Sequence, residues 1–286
     1  MKLVSSTRQF EAPLPKAAAG LSRRRLDEAL IALAAASGAK VIRGLTARFA
    51  EAETRRVRFD DGEEVEAEAL LLATGKHELR GVARPVEGRA VGLRTSLGAP
   101  PALAASLEGM IELHLFDGGY GGLLMQEDGR ANLCLSVSRE RLKQAGGVES
   151  LVAGIAGELP ALRARMAEGA AGEWSAVAGV PYGWHARRTP QGLYRLGDQA
   201  AVIASLAGDG IAIALESGMA AARAVIDGVS AQDYQLRLSQ RARRPLGVAE
   251  RLRWAAERSG PRGTLMRLLA WAPGLAPLAA RLTRIG

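Results

Sequence analysis

The stretch YRLGDQAAVIASLAGDGIAIALESGMAAA, residues 194–222, holds two glycine–acid groups: Gly197-Asp198 ends a short apolar segment, and Gly208-Asp209-Gly210 precedes a long alanine-rich helix. An ionised aspartate accepts two or more hydroxyl hydrogen bonds, which suits a sugar or a ribityl chain. Glycines at a helix start let backbone N–H groups reach an anion or the electron-rich edge of a ring. Such a pattern points to a polyhydroxylated, phosphate-bearing ligand. Two further patches belong with it. Ala73-Thr74-Gly75 closes the apolar segment ALLLATG, and Arg23, at a helix start with Leu26 and Asp27, offers a guanidinium fork for phosphate. Each has an ordinary reading when taken alone: Arg23 as a solvated first-turn charge, Asp198 as a turn residue, Gly208 and Gly210 as loop punctuation. Their order along the chain gives them weight together.

Other chemistry is thin. His77, His114 and His185 lie on separate segments with no cysteine or carboxylate at ligand spacing, so no metal site is expected. His114 alternates with Ile111, Leu113 and Leu115 and should point away from them, with Glu112 and Phe116. On a cavity wall it could donate a proton; otherwise it is a surface or packing residue. Tyr120 and Trp184 could wall a ligand or simply pack. The single cysteine, Cys134, excludes an intrachain disulfide and leaves the cytoplasm as the expected compartment.

The net charge of +8 sits in the tail, where 11 arginines after residue 233 face only Glu250 and Glu257; residues 1–233 hold 27 basic and 28 acidic groups. No nucleic-acid motif accompanies it. The tail segment TLMRLLAWAPGLAPLAARLTRI has the leucine, tryptophan and arginine of a membrane-interface helix, or of a helix packed across the fold. No apolar run approaches the length of a membrane span, and the first residues lack the core of a secretory signal.

These residues need a scaffold. LSRRRLDEALIALAAASGAKVIRG predicts a helix capped by Ser22, stopped near Gly38 and followed by a strand from about Lys40. LTARFAEA, TRRVRFD, EEVEAE and ALLLATG read as short strands, with a turn at Asp60-Asp61-Gly62. From Arg84 the segments AVGLRTSL, MIELHLFD, GGLLMQED and RANLCLSV predict a meandering antiparallel sheet, inserted between two pieces of a nucleotide-type domain. Residues 139–168 return to helix, GEWSAVAGVPYGW and LYRLGD to strand, and the tail to helices broken at Pro245, Pro261, Pro273 and Pro277.

On SRRRLDEAL…GAKVIRG, ALLLATG and LGDQAAVIASLAGDGIAIALESGMAAA, the chain resembles the glutathione-reductase-type flavoproteins of the p-hydroxybenzoate hydroxylase and geranylgeranyl reductase group; GGYGGLLMQEDGRANLCL resembles the substrate-side sheet of the reductase branch. The resemblance spans about residues 20–230. It implies an α/β (α+β) architecture: an FAD-binding domain in pieces 1–83 and 175–230, an antiparallel substrate sheet over 84–174, and C-terminal helices over 231–286. It also implies that Asp198, beside Gly197, holds the ribityl chain of FAD. Gly208, Asp209 and Gly210 would lie at the pyrimidine edge of the flavin, Thr74 and Gly75 at the neighbouring strand end, and Arg23 near the phosphate or ring. NAD(P)H is the candidate electron donor, and a small apolar isoprenoid-, acyl- or polyketide-like molecule the candidate substrate, reduced or hydroxylated.

Three departures stand against the family pattern. A proline common a few residues after Gly-Asp is replaced by Ala204-Ser205, and Thr74 stands where hydroxylases carry Asp; both fit the reductase branch better. The third is larger. No G-x-G-x-x-G spacing occurs, so the chain begins with residues expected to follow the leading strand, turn and helix that seat the FAD pyrophosphate. A start further upstream, a piece of a longer protein, and a protein without the adenine half of the site all remain open. The last, a remnant that acts through partners, is the rival to an enzyme.

Overall fold

The computed structural model describes residues 1–285. Two compact units share the chain: unit 1 is Met1–Gly38, Gly88–Val180 and Arg251–Arg281; unit 2 is Ala39–Glu87, Pro181–Glu250 and the residues from Leu282 onward. In chain order, β1 (Lys2–Val4), β2 (Gln9–Glu11) and α1 (Arg23–Ala36) are followed by β3 (Ala47–Glu51), β4 (Arg56–Phe59), β5 (Glu64–Glu66) and β6 (Leu70–Leu72). Next come β7 (Ala90–Leu97), α2 (Pro101–Leu107), β8 (Ile111–Phe116), β9 (Gly119–Met125) and β10 (Ala131–Ser138). Helices α3 (Arg139–Ala145), α4 (Val148–Glu158) and α5 (Pro160–Glu168) lead to β11 (Ser175–Val180) and β12 (Leu193–Arg195). The chain ends in α6 (Gly210–Ile226), α7 (Ala231–Ala256), α8 (Ser259–Trp271) and α9 (Leu275–Leu282).

Unit 1 is built on a seven-stranded sheet in the order β11-β7-β10-β9-β8-β1-β2. Alternation along these strands places Leu93, Leu97, Leu123, Leu133 and Leu135 on one face, where they pack with Leu151 and Ile155 of α4 and Leu162 of α5. Each such fully buried leucine is worth roughly 1.5–3 kcal/mol. The expected meander holds only for β8-β9-β10, because β7 pairs with β10 and the N-terminal β1 runs parallel to β8. That pairing ties the N-terminal strand to the sheet, and Met1–Gly38 falls in the same unit.

Unit 2 contains the antiparallel β3-β4-β5 sheet and the parallel pair β6-β12. The strand expected near Lys40 does not form: among the described residues no strand lies beside residues 40–45, so their N–H and C=O groups find no ladder. Helix α1 forms as read, with Ser22 Oγ accepting from the N–H of Arg25, yet it buries no residue and leaves Leu33 65% exposed. Of the tail prolines only Pro273 separates two helices. Pro261 and Pro277 sit in first turns, where no N–H is needed, and α7 runs straight through Pro245. Its buried face, Ala242, Leu246 and Ala249, outweighs the roughly 3 kcal/mol that an internal proline costs. Among the described residues no helix is long and apolar enough to cross a membrane, and no group of three metal-ligating side chains occurs.

Candidate functional site

Parallel pairing of β6 with β12, in register Leu70↔Leu193 to Leu72↔Arg195, brings the residues after both strands out at one end. Leu196 N–H extends the ladder to the carbonyl of Leu72 at 3.0 Å. Thr74-Gly75 and Gly197-Asp198 are therefore neighbours, outside the carboxyl ends of parallel strands, where open α/β sheets bind ligands. Gln199, fully buried, ties them together: its Nε2 donates to the carbonyls of Gly75 (3.0 Å) and His77 (2.9 Å).

Arg84 completes the frame. Its guanidinium, 1% exposed, donates to the carbonyls of Asp198 (2.9 Å) and Lys76 (3.1 Å) and to Glu78 Oε1 (2.6 Å), and lies over the Trp184 ring at 5.7 Å. Trp184 thus supports Arg84. Thr74 spends its hydroxyl on the carbonyl of His77, inside its own turn. Lys76 Nζ donates to Asp198 Oδ2 at 2.8 Å, and Asp198 Oδ1 has no partner among the described residues. The site therefore offers one open carboxylate oxygen beside an ammonium group.

Gly197 has φ +52 and donates its N–H to Ser217 Oγ of α6 at 2.8 Å, so the end of β12 is held directly against that helix. The short 3-10 turn Ser205–Ala207 ends in Gly208, left-handed at φ +67, and α6 begins two residues later. Asp209 occupies the cap position but makes no capping bond. Its carboxylate, 1% exposed, accepts from Arg284 Nη1 at 2.7 Å and from the N–H of Ile285 at 2.9 Å. Expected among the ligand-facing residues, Asp209 instead gives its side chain to the C-terminal segment. The N–H groups of Gly210, Ile211 and Ala212 have no acceptor among the described residues, and no atom stands within 4 Å of where a Cβ on Gly208 or Gly210 would lie. The start of a 17-residue helix is left bare, with its N–H groups and positive dipole end available.

Beneath this layer, burial pushes the Tyr234 phenol up, against a smaller opposing effect from Ser217; its hydroxyl is shared between the carbonyls of Arg195 (3.0 Å) and Ser217 (3.1 Å). Arg23 belongs to unit 1, on exposed α1, where it pairs with Asp27 one turn on at 3.2 Å. Sequence reasoning missed Lys76, Arg84, Gln199 and Arg284. Lys76 and Gln199 adjoin residues it had singled out; nothing local marks Arg84 or Arg284.

Unit 1 carries a pocket of about 460 Å³, walled by Leu14, Leu107, Met110, Ile111, Leu124 and Met125 with small residues of the segment Ala17–Gly20. Gly20 is essential to that wall, since a Cβ there would collide with the carbonyl of Met125. The segment is pinned beyond it by Ser22, whose N–H donates to Glu127 Oε2 at 2.8 Å. Sizes of this order suit small-molecule ligands. Nearby in β8, His114 is fully buried, as is Glu112; His114 Nε2 lies 3.2 Å from Glu112 Oε2, and Arg165 of α5 donates to both carboxylate oxygens at 2.8 and 3.2 Å. Burial would push Glu112 up, but the hydrogen bonds of His114 and Arg165, with their charge, outweigh it and hold the carboxyl at about 2.

No family model and no curated protein matches this chain. Solved structures do. A flavin-dependent brominase superposes with a TM-score of 0.76 at 14% identity, over 99% of this chain and 75% of its own. The myxobacterial chondrochloren halogenase, an FAD-dependent enzyme, gives 0.68 at 19% over 93% and 71%, and a geranylgeranyl bacteriochlorophyll reductase-like protein of Thermoplasma acidophilum 0.65 at 20% over 92% and 69%. The chain has the mixed α/β fold of these flavoproteins.

Proposed function

We propose that this chain is a flavin-dependent oxidoreductase acting on an apolar substrate. One observation carries the proposal: the carboxyl ends of β6 and β12 present the open oxygen of Asp198 and the uncapped start of α6 within one buried hydrogen-bond frame. Asp198 would accept a ribityl hydroxyl, and the first-turn N–H groups of α6 would meet the electron-rich edge of the ring. Flavin, when bound, supplies hydride or oxygen chemistry, so few catalytic side chains are needed. The residues present fit the flavin and its ribityl arm; they include no glycine cradle for a pyrophosphate. The pocket of unit 1, whose apolar wall also carries Lys16, is the substrate site on this reading, with NAD(P)H as electron donor and reduction or hydroxylation of an isoprenoid-, acyl- or polyketide-like molecule as the reaction.

The test is titration of the purified chain with FAD, FMN and riboflavin, followed by the change in visible absorbance. At least one should bind, and Asp198→Ala should weaken it by roughly ten- to a hundredfold, as expected for a hydrogen bond to a charged group. Failure of all three to bind refutes the proposal. Unchanged affinity in the variant refutes the role of Asp198.

A further inference from the structure

The corner between α8 and α9 is apolar, basic and unpartnered. Leu268 and Trp271 lie one turn apart on α8, 45% and 84% exposed, and Leu278 of α9 is 49% exposed. Ala270, Pro273 and Gly274 between them are exposed and uncharged. Soluble surfaces leave single apolar side chains in water, but an almost wholly solvated tryptophan joined by two leucines is costly unless something covers it.

Charge identifies the cover. From Arg258 to the end of α9 the chain has no acidic residue. Arg262 is internal, bonded to Asp117 at 2.9 Å, and does not count. Arg258, Arg267 and Arg281 are exposed. Among the described residues Arg281 makes no ion pair, Arg267 reaches only Thr264 Oγ1 at 3.4 Å, and Arg258 donates to the carbonyl of Trp254 and lies over its ring. A second copy of the same surface would bring like charges together, which disfavours self-association. An anionic lipid surface satisfies both halves at once: tryptophan and leucine enter the boundary between headgroups and acyl chains, and the arginines meet lipid phosphate. These helices are too short to span a bilayer and would lie on it.

We propose that the α8–α9 corner is a membrane-interface anchor that docks this protein on anionic bilayers. A corollary, which rests on the flavin reading above, is that the apolar substrate is drawn from the bilayer.

Co-sedimentation of the full chain with vesicles of phosphatidylcholine alone, and of phosphatidylcholine with phosphatidylglycerol as the minor component, tests the anchor without any flavin. Binding should favour the anionic vesicles. Trp271→Ala with Leu268→Ala should weaken it by about tenfold or more. Arg267→Gln with Arg281→Gln should weaken it by about twentyfold on anionic vesicles and hardly at all on neutral ones. All four positions are exposed, so unchanged circular dichroism and melting temperature will show that the variants fold. Three results overturn the anchor: no sedimentation with either vesicle, sedimentation insensitive to both double variants, or a dimer in light scattering that Trp271→Ala abolishes. Loss of flavin binding with vesicle binding intact would remove the corollary alone.

Discussion

Glu112 offers a test with a calculable size. Its carboxyl is 2% exposed and held at about 2 against an ordinary 4.5 by His114 and Arg165. At about 1.4 kcal/mol per pH unit, that difference contributes roughly 3 kcal/mol to folding at neutral pH. A depressed carboxyl stabilises the fold fully above its unfolded value and loses that contribution as pH falls through its folded value. Between about pH 7 and about pH 3 the contribution should therefore shrink by roughly 2 kcal/mol. Glu112→Gln keeps the size and removes the titration. Urea unfolding of wild type and variant across this range, compared as the difference of the two free energies at each pH, isolates the group from the other carboxyls. The wild-type advantage should be large at neutral pH and fall steeply in acid. A difference that stays flat with pH would refute the ion-paired assignment. The consequence reaches the pocket of unit 1, because Arg165 of α5 grips the strand whose Ile111 lines it.

Arg284→Ala should cost about 2–3 kcal/mol in urea unfolding, less than a fully buried pair because Arg284 is 44% exposed, and Asp209→Asn in the same chain should recover most of it; additive losses would sink the pairing. Gly20→Ala should lower stability by about 1–3 kcal/mol through overpacking against Met125, and an unchanged melting temperature would mean the segment lies elsewhere. Tyr234→Phe deprives two buried carbonyls of a donor and should cost about 1–2 kcal/mol, whereas a neutral effect would mean that its hydroxyl bonds are absent.

What could be read along the chain was whatever depends on neighbours in sequence. Ser22 caps α1 through the next three residues, and the alternation in residues 90–138 gave the strands their faces. The strand near Lys40 failed because a strand exists only with a partner, and apolar content does not supply one. Asp198 was legible as an acid at a strand end, but Arg84 reaches its carbonyl from 114 residues away. Asp209 shows the limit most clearly. Read locally, an aspartate just before a helix caps it, and a capped helix start has little to offer a ligand. Here Arg284 and the backbone of Ile285, some 75 residues downstream, draw the carboxylate off the helix. The bare N–H groups on which the flavin proposal depends are thus a product of chain return, and no window around residue 209 could have revealed them.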